Sequence, residues 1–190
     1  MSSISTVKYT WALNLFNLAL LASVITTMPL SAQEIVQAPS AAAAPPAKLV
    51  QEVRDATRQF VNVNNAGPAG YAPIFGCVSG PDHGAMGIHY VNLTLVGDGE
   101  IDAAHPEALI YEPMGNRRKL VGVEYIVDAA TWLASHNGAP PVLDGQDFQF
   151  VPAPNRFNLN SFFELHVWAW RENPQGAFVD WNNQVSCEHQ

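Results

Sequence analysis

Two histidines and one glutamate carry the clearest chemical signal in the sequence, because each lies in an apolar stretch that alternates like a β-strand. They are His89 in GAMGIHYVN, Glu124 in KLVGVEYIV and His166 in FFELHVWAW. Alternate residues of a strand face the same side, so each of the three shares an apolar or aromatic face. A buried imidazole or carboxylate is costly unless it is paired. We therefore expect these side chains to hydrogen-bond to one another or to bind a metal ion together.

Two imidazoles and one carboxylate form a donor set that suits a divalent transition metal. Zinc, copper and iron accept these ligands, and three protein ligands leave a coordination position open. Each ligand comes from a different predicted strand, so the site requires a strand order that brings these strands together. The sequence thus predicts a candidate metal or small-ligand site at His89, Glu124 and His166.

Aromatic residues near these positions are candidates for the wall of an adjacent ligand pocket. An open metal site or a His/Glu acid–base pair would also suit an enzyme, although no segment indicates a substrate. The alternative is a disulfide-stabilised structural or interaction domain, in which the histidines only complete the core. The candidate pocket residues are Tyr90, Tyr125, Trp168 and Trp170.

The other histidines lie where structural roles are expected, in a loop (His83), a turn (His105), a helix end (His136) and the C-terminal tail (His189). The acidic segment GDGEID lacks the spacing and the closing glutamate of a twelve-residue calcium loop. The sequence contains no nucleophile elbow, phosphate-binding loop or zinc-protease helix. Hydrolases and kinases that depend on these motifs are therefore not indicated.

The elements that position the candidate site follow from hydrophobic periodicity. Spacing of three and four residues from Leu49 to Phe60 predicts an N-terminal amphipathic helix, and VDAATWLAS predicts a second, short one. The predicted strands are MGIHYVNLTLV, EALIYEP, KLVGVEYIV, FQFVPAP and FFELHVWAWREN, with EALIYEP and KLVGVEYIV as a hairpin. The expected fold is α+β, a helix followed by a curved antiparallel β-sheet or small barrel.

The N-terminal region has the organisation of a secretory signal peptide over residues 1–32. Lys8 precedes the apolar stretch WALNLFNLALLASVI, and small residues precede a cleavage position after Ala32. That stretch is shorter than the ~20 apolar residues of a membrane span. Residues 33–47, rich in alanine and proline, predict a flexible tether, and residues 48–190 a single globular domain. We therefore expect a periplasmic or secreted protein with no membrane attachment after signal cleavage.

The charge balance is acidic, with a formal net charge of -8. The longest basic run is the short segment from Arg117 to Lys119, at a predicted hairpin tip. Nucleic acid and anionic membrane surfaces are therefore poor candidate partners. Small ligands and protein partners remain candidates.

The chain contains two cysteines, Cys77 and Cys187. In an exported protein, a single disulfide between them is the default expectation. It would close a long loop and stabilise the fold by roughly 4–5 kcal/mol in the chain-entropy model. The alternative is a reactive or metal-binding thiol pair, although the spacing of the two cysteines matches no compact metal motif.

The ordered series GYAPIFGCVSG, MGIHYVN, PEALIYEP, LHVWAWREN and NNQVSC resembles a family of uncharacterised exported proteins of bacteria and archaea. Its members share Met-Gly-x-His-Tyr, Pro-Glu-x-Leu-x-Tyr and Leu-His-Val-Trp segments before a final cysteine. The match covers residues 56–187, and the segment SGPDHGA departs from a shorter link in the family. The resemblance implies export but assigns no role to its motif positions, which include His89, Glu107, Glu124, His166, Cys77 and Cys187.

Overall fold

The computed structural model describes residues 47–80 and 82–190. The predicted signal peptide and the tether up to residue 46 lie outside these residues. None of the helices in the described part of the chain combines the length and the hydropathy that a membrane crossing requires.

The described domain opens with an amphipathic helix, as the periodicity predicts. Helix α1 spans Lys48–Thr57 and buries one face through Leu49, Val50 and Val53. Short 3-10 turns follow over Arg58–Val61, Val63–Asn65 and Gly67–Ala69. The left-handed Gly70, with φ of 90°, ends the last turn and directs the chain into the sheet.

The described residues form nine strands, β1 (Ala72–Pro73), β2 (Val78–Gly80), β3 (Gly84–Val91), β4 (Ala108–Met114), β5 (Arg117–Asp128), β6 (Val142–Leu143), β7 (Gln146–Asp147), β8 (Gln149–Val151) and β9 (Phe162–Val167). The main sheet is antiparallel throughout its paired strands and has the order β1-β3-β4-β5-β9-β8, with β2 also pairing with β3. It is open at its edges in the described residues, so the fold is a curved sheet and the barrel alternative is wrong. A separate two-stranded hairpin is formed by β6 and β7.

Several sequence predictions are confirmed by this arrangement. EALIYEP and KLVGVEYIV form the hairpin of β4 and β5, and FQFVPAP contributes the edge strand β8. VDAATWLAS contributes the short helix α3 (Ala129–Ser135), whose N-cap Asp128 accepts a hydrogen bond from the Thr131 N–H. Hydrophobic periodicity was therefore sufficient to identify these elements.

Two predicted strands are longer in the sequence than in the structure. The strand MGIHYVNLTLV ends at Val91, because the Asn92 side chain accepts from the Thr94 N–H and caps the one-turn helix α2 (Leu93–Val96). The last strand ends at Val167, after which the Trp170 N–H donates to the Val121 carbonyl. A local side-chain cap thus ends the first of these strands, whereas the second ends in irregular backbone hydrogen bonds to β5.

The two faces of the sheet are covered by different parts of the chain. The larger core lies on the α1 side and includes Leu109, Val123 and Leu165. A smaller cluster on the other face joins Ile110 and Trp168 to Val185 of the C-terminal segment, residues 168–190. This segment is therefore the cover of the second face.

The Cys77–Cys187 disulfide is confirmed and fastens this cover to the sheet. Its Cα atoms are 5.6 Å apart, and it links the chain just before β2 to the C-terminal segment. Ala85 and Asn182 add a backbone bridge between β3 and the same segment, with both N–H···O distances at 3.2 Å. Covalent and hydrogen-bonded links therefore hold the segment against the second face.

Candidate functional site

The strand register places the three predicted ligands on one face of the sheet. Glu124 on β5 is directly opposite His166 on β9, and on its other side Glu124 faces Ala108 of β4. His89 on β3 lies across β4, opposite Ile110. Because β3 and β5 lie on either side of β4, their backbones are about 10 Å apart. The small side chain of Ala108 on β4 leaves space for His89 and Glu124 to approach each other.

The three side chains meet above this part of the sheet. His89 Nε2 is 3.3 Å from Glu124 Oε2, and His166 Nε2 is 4.0 Å from Glu124 Oε1. One potential ligand atom from each residue lies within 4.8 Å of the other two. The imidazole rings are perpendicular, with centroids 5.9 Å apart. The structure therefore brings together all three residues that the sequence singled out.

Burial controls the protonation of the two histidines. The side chain of His166 is fully buried, and that of His89 is only 7% exposed. Burial lowers the pKa of His166 to about 3. Burial, with a smaller contribution from His166, lowers the pKa of His89 to about 3 as well. Both imidazoles are neutral at physiological pH, which is the form that binds metal ions.

Glu124 is buried beside a second carboxyl group, that of Glu164 on β9. Burial is the main reason that the pKa of Glu124 lies well above its usual range, and the neighbouring Glu164 raises it further. Burial also raises the pKa of Glu164 to about 7, while a hydrogen bond with Glu124 opposes this shift. Without a cation the two carboxyl groups therefore favour holding a proton between them.

His166 is the most deeply buried polar side chain of the site. Neither Nδ1 nor Nε2 has a hydrogen-bond partner among the described residues. An unsatisfied buried polar group costs about 1–3 kcal/mol. A purely structural histidine would be expected to satisfy at least one ring nitrogen, so this environment favours a ligand role.

An apolar cavity of about 40 Å³ opens onto His89 and Glu124. Phe75 and Phe157, with ring centroids 5.3 Å apart, form part of its wall. The cavity has room for about two or three water molecules or a ligand of similar size. The other lining residues are Met86, Val91, Ile126, Leu159 and Phe162.

The predicted aromatic pocket does not form, because three of its four residues lie elsewhere. Tyr90 packs on Tyr111 with centroids 4.8 Å apart, and the Tyr125 hydroxyl donates to the Ala103 carbonyl at 2.8 Å. Strand alternation turns both tyrosines away from the face of the histidines. The Trp170 indole N–H donates to Thr57 Oγ1 at 2.9 Å, beside α1.

Trp168 is the one predicted pocket residue that stays near the histidines. Its ring centroid is 6.2 Å from that of His166. It is buried in the cluster with Ile110 and Val185, and it does not line the cavity. Because β9 ends at Val167, alternation still places Trp168 beside His166 but no longer predicts the direction of Trp170.

Sequence reasoning missed two further acidic residues at the site, Glu164 and Asp180. Glu164 lies two residues before His166 on β9, so the same alternation could have identified it. Asp180 comes from the irregular C-terminal segment, and its Oδ1 is 3.7 Å from His166 Nδ1. Gln149 Nε2 donates to Asp180 Oδ2 at 2.9 Å. No periodic signal marks Asp180.

The remaining candidates have local roles outside this cluster. Glu107 is buried, and its Oε2 accepts a hydrogen bond from the Ile126 N–H at 3.1 Å. Burial raises the pKa of Glu107 to about 8. His105 Nδ1 pairs with Asp102 Oδ2 at 2.7 Å on the surface, and His136 stacks on Trp132. These histidines are therefore not part of the buried cluster.

Comparisons with family models, with curated proteins and with solved structures found no match for this chain. Membership of the exported family that the motif series resembles is therefore a prediction.

Proposed function

We propose that this chain is a metal-binding protein that holds a divalent transition metal through His89, Glu124 and His166. The observation that carries the proposal is the convergence of the three potential ligand atoms within 4.8 Å, with His166 lacking any hydrogen-bond partner among the described residues. Neutral imidazoles and one carboxylate favour zinc, copper or iron over calcium or magnesium, which prefer all-oxygen ligand sets.

The distances are close to those that a metal requires. Four ligands at 2.0–2.1 Å around zinc lie about 3.3 Å from one another. His89 Nε2 and Glu124 Oε2 have this separation, at 3.3 Å. His166 Nε2 lies 4.0 Å from the other carboxylate oxygen, Oε1, and would have to move closer by about 0.7 Å. The arrangement is therefore compatible with a metal that both oxygens of Glu124 face.

The proposed compartment is the periplasm or the exterior of the cell. A disulfide persists in oxidising compartments, and the Cys77–Cys187 bond is present in the structure. The predicted signal peptide supports the same placement. Cu²⁺ and Zn²⁺ are the stable forms of these metals in an oxidising compartment.

The test is metal analysis of untagged protein produced in medium supplemented with zinc, copper and iron. We expect metal to co-purify with the wild type and the metal content to fall in Glu124→Gln, whose neutral amide keeps the side-chain size. His105→Ala is the matched control, because it removes an exposed histidine that also pairs with a carboxylate. Absence of metal from the wild type, or equal metal content in Glu124→Gln, would overturn the proposal.

The apolar cavity favours a second candidate function, a metal-dependent enzyme acting on a very small molecule. The cavity reaches both His89 and Glu124, so a ligand inside it could occupy an open coordination position. Azide added to the cobalt-substituted protein tests this access through the visible spectrum. A change in the wild type that is slowed in Leu159→Trp, at the exposed cavity wall, would support it. An unchanged spectrum would leave only the binding function.

A further inference from the structure

The two ring nitrogens of His166 face two different carboxylates. Nε2 is 4.0 Å from Glu124 Oε1, whereas Nδ1 is 3.7 Å from Asp180 Oδ1. Both distances exceed those of hydrogen bonds. A histidine that binds one metal normally donates its other N–H to a carboxylate at hydrogen-bond distance. The 3.7 Å separation is instead closer to the spacing of two ligands around one cation.

A second set of ligand-type atoms includes the His166 imidazole. Glu164, His166 and Asp180 each offer one atom within 4.8 Å of the other two. Glu164 is only 4% exposed and projects from β9 on the same face as His166. Asp180 reaches the cluster from the C-terminal segment. One imidazole and two carboxylates again suit a divalent transition metal.

The charge of the cluster is compatible with one or two cations. Among the described residues, the ion pairs of Glu124 and Asp180 involve only His89 and His166. With Glu164, three carboxyl groups therefore lie around the His166 imidazole. One divalent ion balances their charge when Glu124 and Glu164 keep a proton between them. Two divalent ions balance it when that proton and the His166 proton are released to solvent.

The second set of ligands has its own route to solvent. An open cleft of about 330 Å³ lies over Asp180, lined also by His83, Gln149 and Trp181. The Asp180 side chain is 19% exposed, whereas the three residues of the first site are almost fully buried. A cation at Asp180 would therefore exchange with solvent faster than one at Glu124.

We propose that Glu164, His166 and Asp180 form a second divalent-metal site that shares the His166 imidazole with the first site and opens to this cleft. The shared imidazole means that the inference rests on the proposed function. Asp180 then acts as a ligand of its own cation. The competing role for Asp180 is to orient His166 by a hydrogen bond, with a single metal at the first site.

Copper titration of the metal-free protein distinguishes these roles. We expect two equivalents of Cu²⁺ per wild-type chain after gel filtration, and one in Asp180→Asn and in Glu164→Gln. Asp102→Asn, which changes an exposed aspartate beside His105, is the matched control and should keep two. Circular dichroism verifies that each variant is folded.

The magnetic coupling of the two ions tests the shared imidazole. Two Cu²⁺ ions bridged by imidazolate couple antiferromagnetically, so the electron paramagnetic resonance signal of the doubly loaded wild type should be largely lost at low temperature. The signal should return to one spin per chain in Asp180→Asn. One equivalent in both the wild type and Asp180→Asn would overturn the second site and leave the first intact. Two uncoupled signals would overturn the shared imidazole. Wild-type protein that binds no copper would overturn both.

Discussion

His166 on β9 lies directly opposite Glu124 on β5, and His166 Nε2 is 4.0 Å from Glu124 Oε1. This pairing joins a fully buried imidazole to a carboxyl group whose pKa is raised well above its usual range by burial. His89 reaches the same carboxylate from the far side of β4, across Ala108. The result is a buried cluster whose charge and hydrogen-bonding needs a metal ion would meet.

Metal removal should lower the thermal stability of the wild type. A metal that binds only the folded state at 100 times its Kd contributes about 2.7 kcal/mol, or roughly 5–10 °C in Tm for a domain of this size. Glu124→Gln should show a smaller change in Tm when a chelator is added. Differential scanning calorimetry with and without the chelator measures both shifts, and an equal response of the two proteins would contradict the prediction.

Glu107 should make the stability of the fold depend on pH. Burial raises its pKa in the folded state from 4.5 to about 8, so the folded protein keeps this proton while the unfolded chain loses it. Stability from this residue is therefore full below pH 4.5 and is lost as the pH rises through 8. The loss is at most about 5 kcal/mol.

Glu107→Gln should flatten this dependence, since an amide does not ionise in this range. Chemical denaturation at several pH values between 5 and 8.5 measures the free energy of unfolding of each protein. Glu100→Gln, an exposed carboxylate in the loop before β4, is the control and should follow the wild type. If the free energy of unfolding of the wild type and of Glu107→Gln changed in parallel with pH, Glu107 would not be the source of the pH dependence.

Loss of the disulfide should destabilise the fold and loosen the C-terminal segment beside the candidate site. The Cys77–Cys187 bond closes a separation of 110 residues, for which the chain-entropy model gives about 4–5 kcal/mol. The double variant Cys77→Ser/Cys187→Ser should therefore unfold at a lower denaturant concentration. Its metal content should also fall, because Asp180 and Trp168 belong to the segment that the disulfide fastens. Unchanged stability after the double substitution would refute this role.

Gly84→Ala should displace the C-terminal segment from β3. Gly84 has a φ of 81°, and an added Cβ would collide with the backbone of Asn182 and Asn183. The expected cost is roughly 2–4 kcal/mol, from backbone strain and from the lost bridge to Ala85.

Gly115→Ala is the matched control for backbone strain alone. Gly115 also has a positive φ, of 62°, but an added Cβ would have no atom within 4 Å. It should cost only about 1–2 kcal/mol. Denaturation midpoints of both variants measure the difference, and similar losses would mean that the Asn182 contact contributes little.

Much of the fold was predictable because its signals are local. The three- and four-residue spacing from Leu49 identified α1, and two-residue alternation placed His89, Glu124 and His166 each on a definite face of its strand. The same alternation already separated Tyr90 and Tyr125 from the histidines. The strand ends were less predictable, because the Asn92 cap competes with an apolar run that continues to Val96.

The sequence by itself determined the α+β class, the expected partner of each cysteine and the three residues that need a polar partner. Only the tertiary structure decided that these residues meet, because strand order and register depend on pairings between distant segments. Ala108 leaves the space above β4 only once β3, β4 and β5 are in this register. Asp180 joins His166 because the disulfide and the Ala85–Asn182 bridge fold an aperiodic segment back over the sheet.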